Sequence, residues 1–365
     1  LSCLRDKDVQ NSSQGKIKLN FPIFKTKIES LKERFDLTNK EEEVRYFQLK
    51  AGKEIEKLRE YLRENTFIAY LLGKKNSGKG TYSKMLAQIV DPEKIVHFSV
   101  GDMVRKVEGE MKDPKKKQEV LLYLKRNYRG SISLEAALEA FEKRSTQKLL
   151  PTELILTLIK REISEKEKKA IFIDGFPRDL DQIGFSLFFR DLIGYRDDPD
   201  VFVLIDVPEK VIEARIKWRR ICPLCQTPRN LKLLPTNTVI FENGEYHLVC
   251  DQCKVKMVKK EGDELGLEPI KERLKKEEEL MKKALSLSGI PKILLRNSVP
   301  VNVAQDFVDD YEITPEYFFE EKEGKVEIKT RPWKFLDDEG KESFSLLPQP
   351  VVVSLLKQLC EVLNL

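Results

Sequence analysis

The run "FIAYLLGKKNSGKGTYSKMLAQIV", Phe67 to Val90, constrains the fold more than any other stretch of the chain. A short apolar run passes without a break into a glycine-punctuated segment, and that segment passes into residues at helical spacing. Glycines in such a setting let backbone amides turn inward on a phosphate, and the following helix N-terminus adds the positive end of its dipole. Lys79 would then reach the β and γ phosphates. Thr81, or the amide of Gly80, takes the place where phosphate loops usually carry Ser or Thr. The plain alternative is a glycine-rich turn with a solvated lysine, so other segments must decide.

Four further runs, "KIVHFSV", "KKAIFIDGF", "DVFVLIDV" and "PKILLRNS", are short, apolar and rich in β-branched residues, with helical stretches between them. That alternation predicts an α/β fold, a parallel five-stranded sheet with crossover helices. Residues 1 to about 18 are polar and read as loose. The stretch from "FPIFKTK" to "REYLREN" brings apolar residues back at helical spacing, with "TNKE" (Thr38 to Glu41) as a capping box. Beyond Val301 the sequence predicts two or three strands and a last amphipathic helix.

Composition sets limits on function. The 365 residues carry 66 Lys and Arg against 61 Asp and Glu, a net +5 spread along the chain. This mildly favours an anionic ligand and disfavours a nucleic-acid binder, which would want a basic stripe with exposed aromatics. No apolar run is long enough to span a membrane and the N-terminus has no signal core, so a cytoplasmic protein without membrane contact is expected.

The segments after the strand runs carry the chemistry. "HFSVGDMVRKV" sets Asp102 and Arg105 three apart at the start of a helix. In "FIDGFPRDLDQ", Asp174 ends a buried strand, which suits holding Mg²⁺ through water. Gly175 there permits close backbone approach, Arg178 offers a guanidinium to a phosphate, and Gln182 offers an amide to an adenine edge. "EARIKWRRICPLC" places Arg215 and Arg219 four apart on one helical face. A lysine, four arginines and two acids after successive strand ends make a site for phosphoryl transfer between two phosphorylated ligands. Singly, each has a bland reading as a solvated face or a helix cap.

Among six cysteines, "CPLC" and "CDQC" form two CxxC pairs, Cys222 with Cys225 and Cys250 with Cys253, around a β-rich segment. Four thiolates at two tight turns predict a closed structural Zn²⁺ site, with redox chemistry as the weaker alternative. His97, in an apolar strand, reads as a satisfied core histidine.

With these residues in hand, the stretch of about 66 to 310 resembles the adenylate kinases and the wider nucleoside monophosphate kinase family, in the form with a zinc-bearing lid. The GKGT ending, "SVGDMVR", "FIDGFPRD" and "ARIKWRRICPLC…CDQC" carry the resemblance in the family's order. It implies an enzyme that transfers the γ-phosphoryl of ATP to AMP with Mg²⁺. Gly73, Ser77, Gly78, Lys79, Gly80 and Thr81, with Arg215, would hold ATP. Ser99, Val100, Arg105, Gly175, Arg178 and Gln182 would hold AMP, and Asp102 and Asp174 would hold Mg²⁺ through water. Arg178, Arg219 and Arg273 would gather on the transferring phosphoryl beside Lys79 and Arg215. The implied organisation is an N-terminal extension (1–65), a kinase domain (66–310) with an acceptor insertion at about 99–152 and a zinc lid at about 220–262, and a C-terminal extension (311–365). A monomer is expected.

This sequence also departs from the family. Asn76 replaces a loop glycine, and Lys74 and Lys75 replace a small residue and a proline, so the loop should be more positive, with Asn76 at a position that Asn tolerates better than most. Val100 removes a threonine hydroxyl near the acceptor base, which leaves another acceptor such as UMP or CMP open. Lys260 stands for a lid arginine and gives up bidentate geometry. The acceptor insertion is longer than usual. A kinase-like scaffold that binds a protein partner through its extensions is the rival reading, although it has no need of the arginines.

Overall fold

The computed structural model describes residues 21–143, 150–166, 168–177 and 197–365. Each of the five apolar runs is a strand: β1 (Ile68–Gly73), β2 (Ile95–Ser99), β3 (Ala170–Asp174), β4 (Asp200–Asp206) and β10 (Lys292–Arg296). They form one sheet in the order β10-β4-β1-β3-β2. Every pairing is parallel, with Leu71 opposite Asp174 and Gly73 opposite Ile205. The strand that feeds the glycine loop is therefore central, flanked by the two strands that end in Asp174 and Asp206.

A strand turns successive side chains to opposite faces, and β1 does so between two apolar cores. Ala69 and Leu71 join a cluster with α1 (Lys40–Glu64), α2 (Lys79–Val90) and the final helix α9 (Pro348–Val362). Ile68, Tyr70 and Leu72 join the other, with α3 (Val100–Glu110), α4 (Pro114–Asn127), α5 (Leu134–Glu142), α6 (Thr152–Ser164) and α8 (Lys271–Ser286). Each buried Leu, Ile or Val there contributes about 1.5–3 kcal/mol.

Both extensions belong to this core. From α1, Arg59 donates to the Ile89 and Val90 carbonyls and closes the C-terminal end of α2. The expected last helix is α9, and its first half is buried all round, from Gln349 through Leu356. Two glutamines on it answer the polar groups this covers. Gln349 donates to the Leu37 carbonyl (3.0 Å) and to Glu43 (2.9 Å). Gln358 pairs with both the N–H and the C=O of Leu294, on the edge strand β10.

The helical spacing of residues 21–39 does not become helix. Phe21, Phe35 and Leu37 are buried from an irregular segment, and the first helix starts at Lys40. Its cap is Asn39, whose side chain accepts from Glu41 N and Glu42 N, not Thr38. What holds the segment is tertiary. Thr26 donates to Glu312 (2.7 Å), and the fully buried Lys50 bonds the Thr26 carbonyl (3.0 Å) and Asp309 (2.6 Å), with Glu312 3.5 Å away. Burial first, then the Glu312 carboxylate, push the Tyr46 hydroxyl well above its ordinary pKa, so it stays a donor to Glu312.

The remaining elements are α7 (Glu209–Lys217), a three-stranded sheet of β5 (Arg219–Ile221), β6 (Pro228–Asn230) and β9 (Val258–Lys259), and the hairpin β7 (Thr238–Glu242) and β8 (Glu245–Val249). After β10 come β11 (Ser298–Pro300), the hairpin β12 (Pro315–Lys322) and β13 (Lys325–Pro332), then β14 (Lys334–Leu336) and β15 (Glu342–Ser345); β15 pairs with both β11 and β14. Among the described residues no helix is long and apolar enough to cross a membrane.

Glu312→Ala would leave Lys50, Thr26 and Tyr46 short of a buried acceptor. A loss of about 3–5 kcal/mol in stability is expected from urea melts, and a change below about 1 kcal/mol would show that the network is not what joins the two ends.

Candidate active site

At the end of β1 the backbone leaves no space for a side chain. A Cβ on Gly73 would lie 2.8 Å from the Ile205 carbonyl oxygen and 2.8 Å from Ser77 Oγ. Asn76 takes the left-handed conformation (φ 66°), and Gly78 (φ 101°) precedes the first turn of α2. The loop thus curls over its own lysine. Lys79 Nζ donates to the carbonyls of Gly73 (2.8 Å) and Lys74 (3.2 Å) and lies 3.9 Å from Asp174 Oδ1. Residues 76 to 81, with Lys84 and Asp174, line an open cavity of about 360 Å³. Among the described residues, Ser77 Oγ and Asn76 Nδ2 are buried here without a hydrogen-bond partner, a cost of about 1–3 kcal/mol each that a phosphate oxygen would remove.

The arginines reach this loop by a route the sequence did not suggest. Helix α7 ends at Lys217, so Arg215 is on the helix while Arg219 opens β5, and the two do not share a helical face. Both nonetheless converge on Asn76. Arg215 Nη1 donates to its carbonyl (2.8 Å) and Arg219 Nη1 approaches its Oδ1 (3.3 Å). Arg219 is also held in two bonds by Asp263, and Arg273 by Glu277, whose second oxygen accepts from the Lys75 amide (2.6 Å). Burial, then Arg273, Lys260 and Arg219, depress the Lys75 pKa, with Glu277 opposing. Lys75 therefore sits amid three other cations on one side of the loop.

Lys74 behaves differently. Its ammonium is buried away from the cavity, between Asp338 (3.3 Å) and Glu209 (3.6 Å). Of the two extra loop lysines, only Lys75 adds to the positive field as expected.

On the acceptor side, Ser99 caps α3 by accepting from the Asp102 amide (3.2 Å), and Val100 is buried at the helix start. Asp102 and Arg105 pair with each other on the exposed face. Gly175 has φ 88° directly after Asp174. Arg178 and Gln182 lie outside the described residues. His97 Nδ1 sits 2.9 Å from Ser83 Oγ, and burial, against the pull of Asp174, holds its pKa below the usual value, as a satisfied neutral histidine requires.

The four cysteines come together. All their sulfurs lie within 4.8 Å of one another, and Cys225 and Cys250 are 3.7 Å apart; four thiolates around one Zn²⁺ at about 2.3 Å would stand about 3.8 Å apart. Both turns have the same construction. Gln226 N bonds the Cys222 carbonyl and Lys254 N that of Cys250, each from a left-handed residue, while Cys222 N and Cys250 N bond the carbonyls of Thr227 and Val255. The cluster is compatible with a zinc lid.

Sequence reasoning missed Asn297, Asp263, Glu277, Asp338 and Asp206. Asn297 is fully buried just past β10; it accepts from Arg215 (3.2 Å) and Ser345 (2.9 Å) and donates to Tyr82 (3.1 Å) and the Leu346 carbonyl (2.9 Å). Its place at a strand end was a usable signal. Asp206, ending a strand, offered the same signal, and Glu277, four residues after Arg273, a local one; Asp263 and Asp338 had none, since their partners are remote in sequence.

Sheet order, loop and convergent cations together define a phosphate-loop phosphotransferase. A family described as AAA domain matches residues 72–220. The adenylate kinase of Thermotoga petrophila is 34% identical over 201 residues, 54% of this chain and 75% of that protein. The adenylate kinase of Thermotoga maritima gives the same identity and shares, and that of Clostridium novyi is 28% identical over 205 residues, 56% of this chain and 78% of its own. The chain belongs to the adenylate kinase family and is a nucleoside monophosphate kinase.

Asp206 carries a pH consequence. Burial raises its pKa to about 6, against Lys74 and Arg296, with Asp338 and Glu278 adding to the rise. The folded protein therefore binds this proton more readily than the unfolded chain, so its contribution is full below about 4 and is lost as pH rises to about 6. Asp206→Asn is expected to flatten that part of the stability profile, measured as guanidinium midpoints at pH 4.5, 5.5 and 7; an unchanged slope would contradict the assignment.

Proposed function

We propose that the protein is an adenylate kinase, transferring the γ-phosphoryl of MgATP to AMP to give two ADP. The observation that carries this reading is the convergence of Lys79, Arg215 and Arg219 on one glycine loop beside Asp174, with Lys75, Lys260 and Arg273 alongside. The ATP phosphates would lie against the amides of Gly78, Lys79, Gly80 and Thr81, with Gly73 and Ser77 shaping the loop. Asp174 and Asp102 would hold Mg²⁺ through water, and the ion would supply neutralisation of the phosphate charge during transfer.

Transfer is one displacement. An oxygen of the acceptor phosphate forms a bond to the γ phosphorus as the bond to the β-bridging oxygen breaks, and no side chain becomes covalently attached. The residues position and neutralise. Asp263 and Glu277 hold Arg219 and Arg273 in place until the more highly charged phosphoryl displaces them. Ser99, Val100, Arg105, Gly175, Arg178 and Gln182 are assigned to the acceptor, AMP being favoured by the relatives' activity. The acceptor insertion (99–152) and the lid (220–262) are assigned as the closing parts of the kinase domain (66–310), between extensions 1–65 and 311–365. The cysteine cluster is assigned a structural Zn²⁺ held by Cys222, Cys225, Cys250 and Cys253, which leaves no open position for chemistry.

A coupled ADP-production assay offering AMP, CMP, UMP, GMP and dTMP tests the reading. AMP should give the highest kcat/KM, and Lys79→Ala should lower it at least about 100-fold. Equal rates for wild type and Lys79→Ala would remove the enzyme, and a stronger response to another nucleotide would replace AMP. Elemental analysis should give one zinc per chain, lost in Cys250→Ser together with the protease resistance of the lid; a metal-free folded lid would refute the assignment.

A further inference from the structure

Lys74 is the least expected residue of the phosphate loop, and its partner comes from the other end of the chain. We propose that Asp338, in the C-terminal extension, is a positioning residue for the ATP-phosphate loop, acting through Lys74 and through the N-terminus of α7. The proposal rests on the reading of this loop as the ATP site.

Two contacts carry it. Asp338 Oδ2 takes the Lys74 ammonium at 3.3 Å, and Asp338 Oδ1 accepts from the Glu209 amide at 2.9 Å. The first contact reaches the catalytic lysine in one step. The Lys74 carbonyl accepts from Lys79 Nζ (3.2 Å) and from Ser77 N (3.0 Å), so fixing Lys74 fixes two donors of the phosphate cradle. The second supplies a cap that α7 lacks, because Pro208 precedes it and offers no side-chain bond. Helix α7 carries Arg215, which returns to the Asn76 carbonyl. Asp338 thus meets the loop from two sides, at its second residue and at its apex.

The charges agree with this geometry. Burial works against the Lys74 cation, and Asp338 first, then Glu209, Glu278 and Asp206, outweigh it and lift its pKa above the ordinary lysine value. Without Asp338 the buried ammonium keeps, among the described residues, Glu209 as its close carboxylate, at 3.6 Å, with Glu278 and Asp206 acting from farther away, so its hold on the loop backbone loosens.

Asp338 is itself held firmly. The neighbouring Asp337 accepts from the Glu339 and Lys341 amides and from Ser343, closing the turn between β14 and β15, and β15 is paired to β11 just past the central sheet. The same extension grips the lid. Tyr317 N bonds the Lys232 carbonyl (2.7 Å), and the Phe319 ring packs on Tyr246 with centroids 5.4 Å apart. One segment, 315–345, therefore touches the lid, the phosphate loop and the arginine helix.

The test uses the full chain carrying Asp338→Asn, Lys74→Met and the pair of changes. Calorimetric Kd values for MgATP and for AMP are measured beside KM, with thermal melts as a fold control. Asp338→Asn should weaken MgATP about tenfold and leave AMP within twofold, Lys74→Met should do the same, and the double variant should be no worse than either. An unchanged MgATP affinity in Asp338→Asn would overturn the proposal. So would additive losses in the double variant, or equal weakening of both nucleotides with a lowered melting temperature. Wild type that binds MgATP without turnover would defeat the kinase reading alone, and the Kd comparison would still decide the role of Asp338.

Discussion

Everything at this site hangs from the close approach of two neighbouring strands where β1 ends. Gly73 lies so near the Ile205 carbonyl and the Ser77 hydroxyl that any side chain would collide with them. The loop must leave the sheet there and nowhere else, and Lys79 must fold back on the carbonyls of Gly73 and Lys74. Because β1 is central, the acids ending β3 and β4 arrive at the loop's flanks without any further design.

The cations around the loop are kept apart from one another by acids that do no chemistry themselves. Asp263 holds Arg219, Glu277 holds Arg273 and the Lys75 amide, and Asp338 and Glu209 hold Lys74. Among the acids of the described residues, Asp174, 3.9 Å from Lys79, is the one that lines the cavity. Such a lattice keeps a dense positive site from repelling itself while leaving each guanidinium able to exchange a carboxylate for a phosphate.

Much of this was legible in the sequence, for local reasons. The five strands announced themselves as short β-branched runs because both faces of a parallel sheet are buried. The loop and the cysteine turns were readable because their geometry lies within a few residues. Legibility failed where distant parts of the chain decide. The apolar residues of 21–39 suggested a helix, yet Phe35 packs on Tyr46 and Tyr311 and the Leu37 carbonyl is taken by Gln349 of the final helix. Arg219 was misplaced on a helix because α7 stops at Lys217, where β-pairing with β6 and β9 takes over. Lys74 was expected to add to the loop's positive field, and its partner Asp338, 264 residues away, could not be seen beside it.

The join between Tyr46, Lys50 and Glu312 bears on how the chain is made. Tyr46 and Glu312 are separated by 266 residues. At about 5–20 residues per second, a ribosome needs roughly 15 to 50 s to travel between them. For that interval Lys50 has no counter-charge and α1 no lid of α9 above it, so the helix must wait in water. On that face of the sheet, α1 and α2 lack the cover of residues Pro348–Val362 until these emerge. A nascent chain stalled short of residue 312 would therefore leave α1 without the buried partners of Lys50 and Tyr46, and the part of the core that α9 covers open to water.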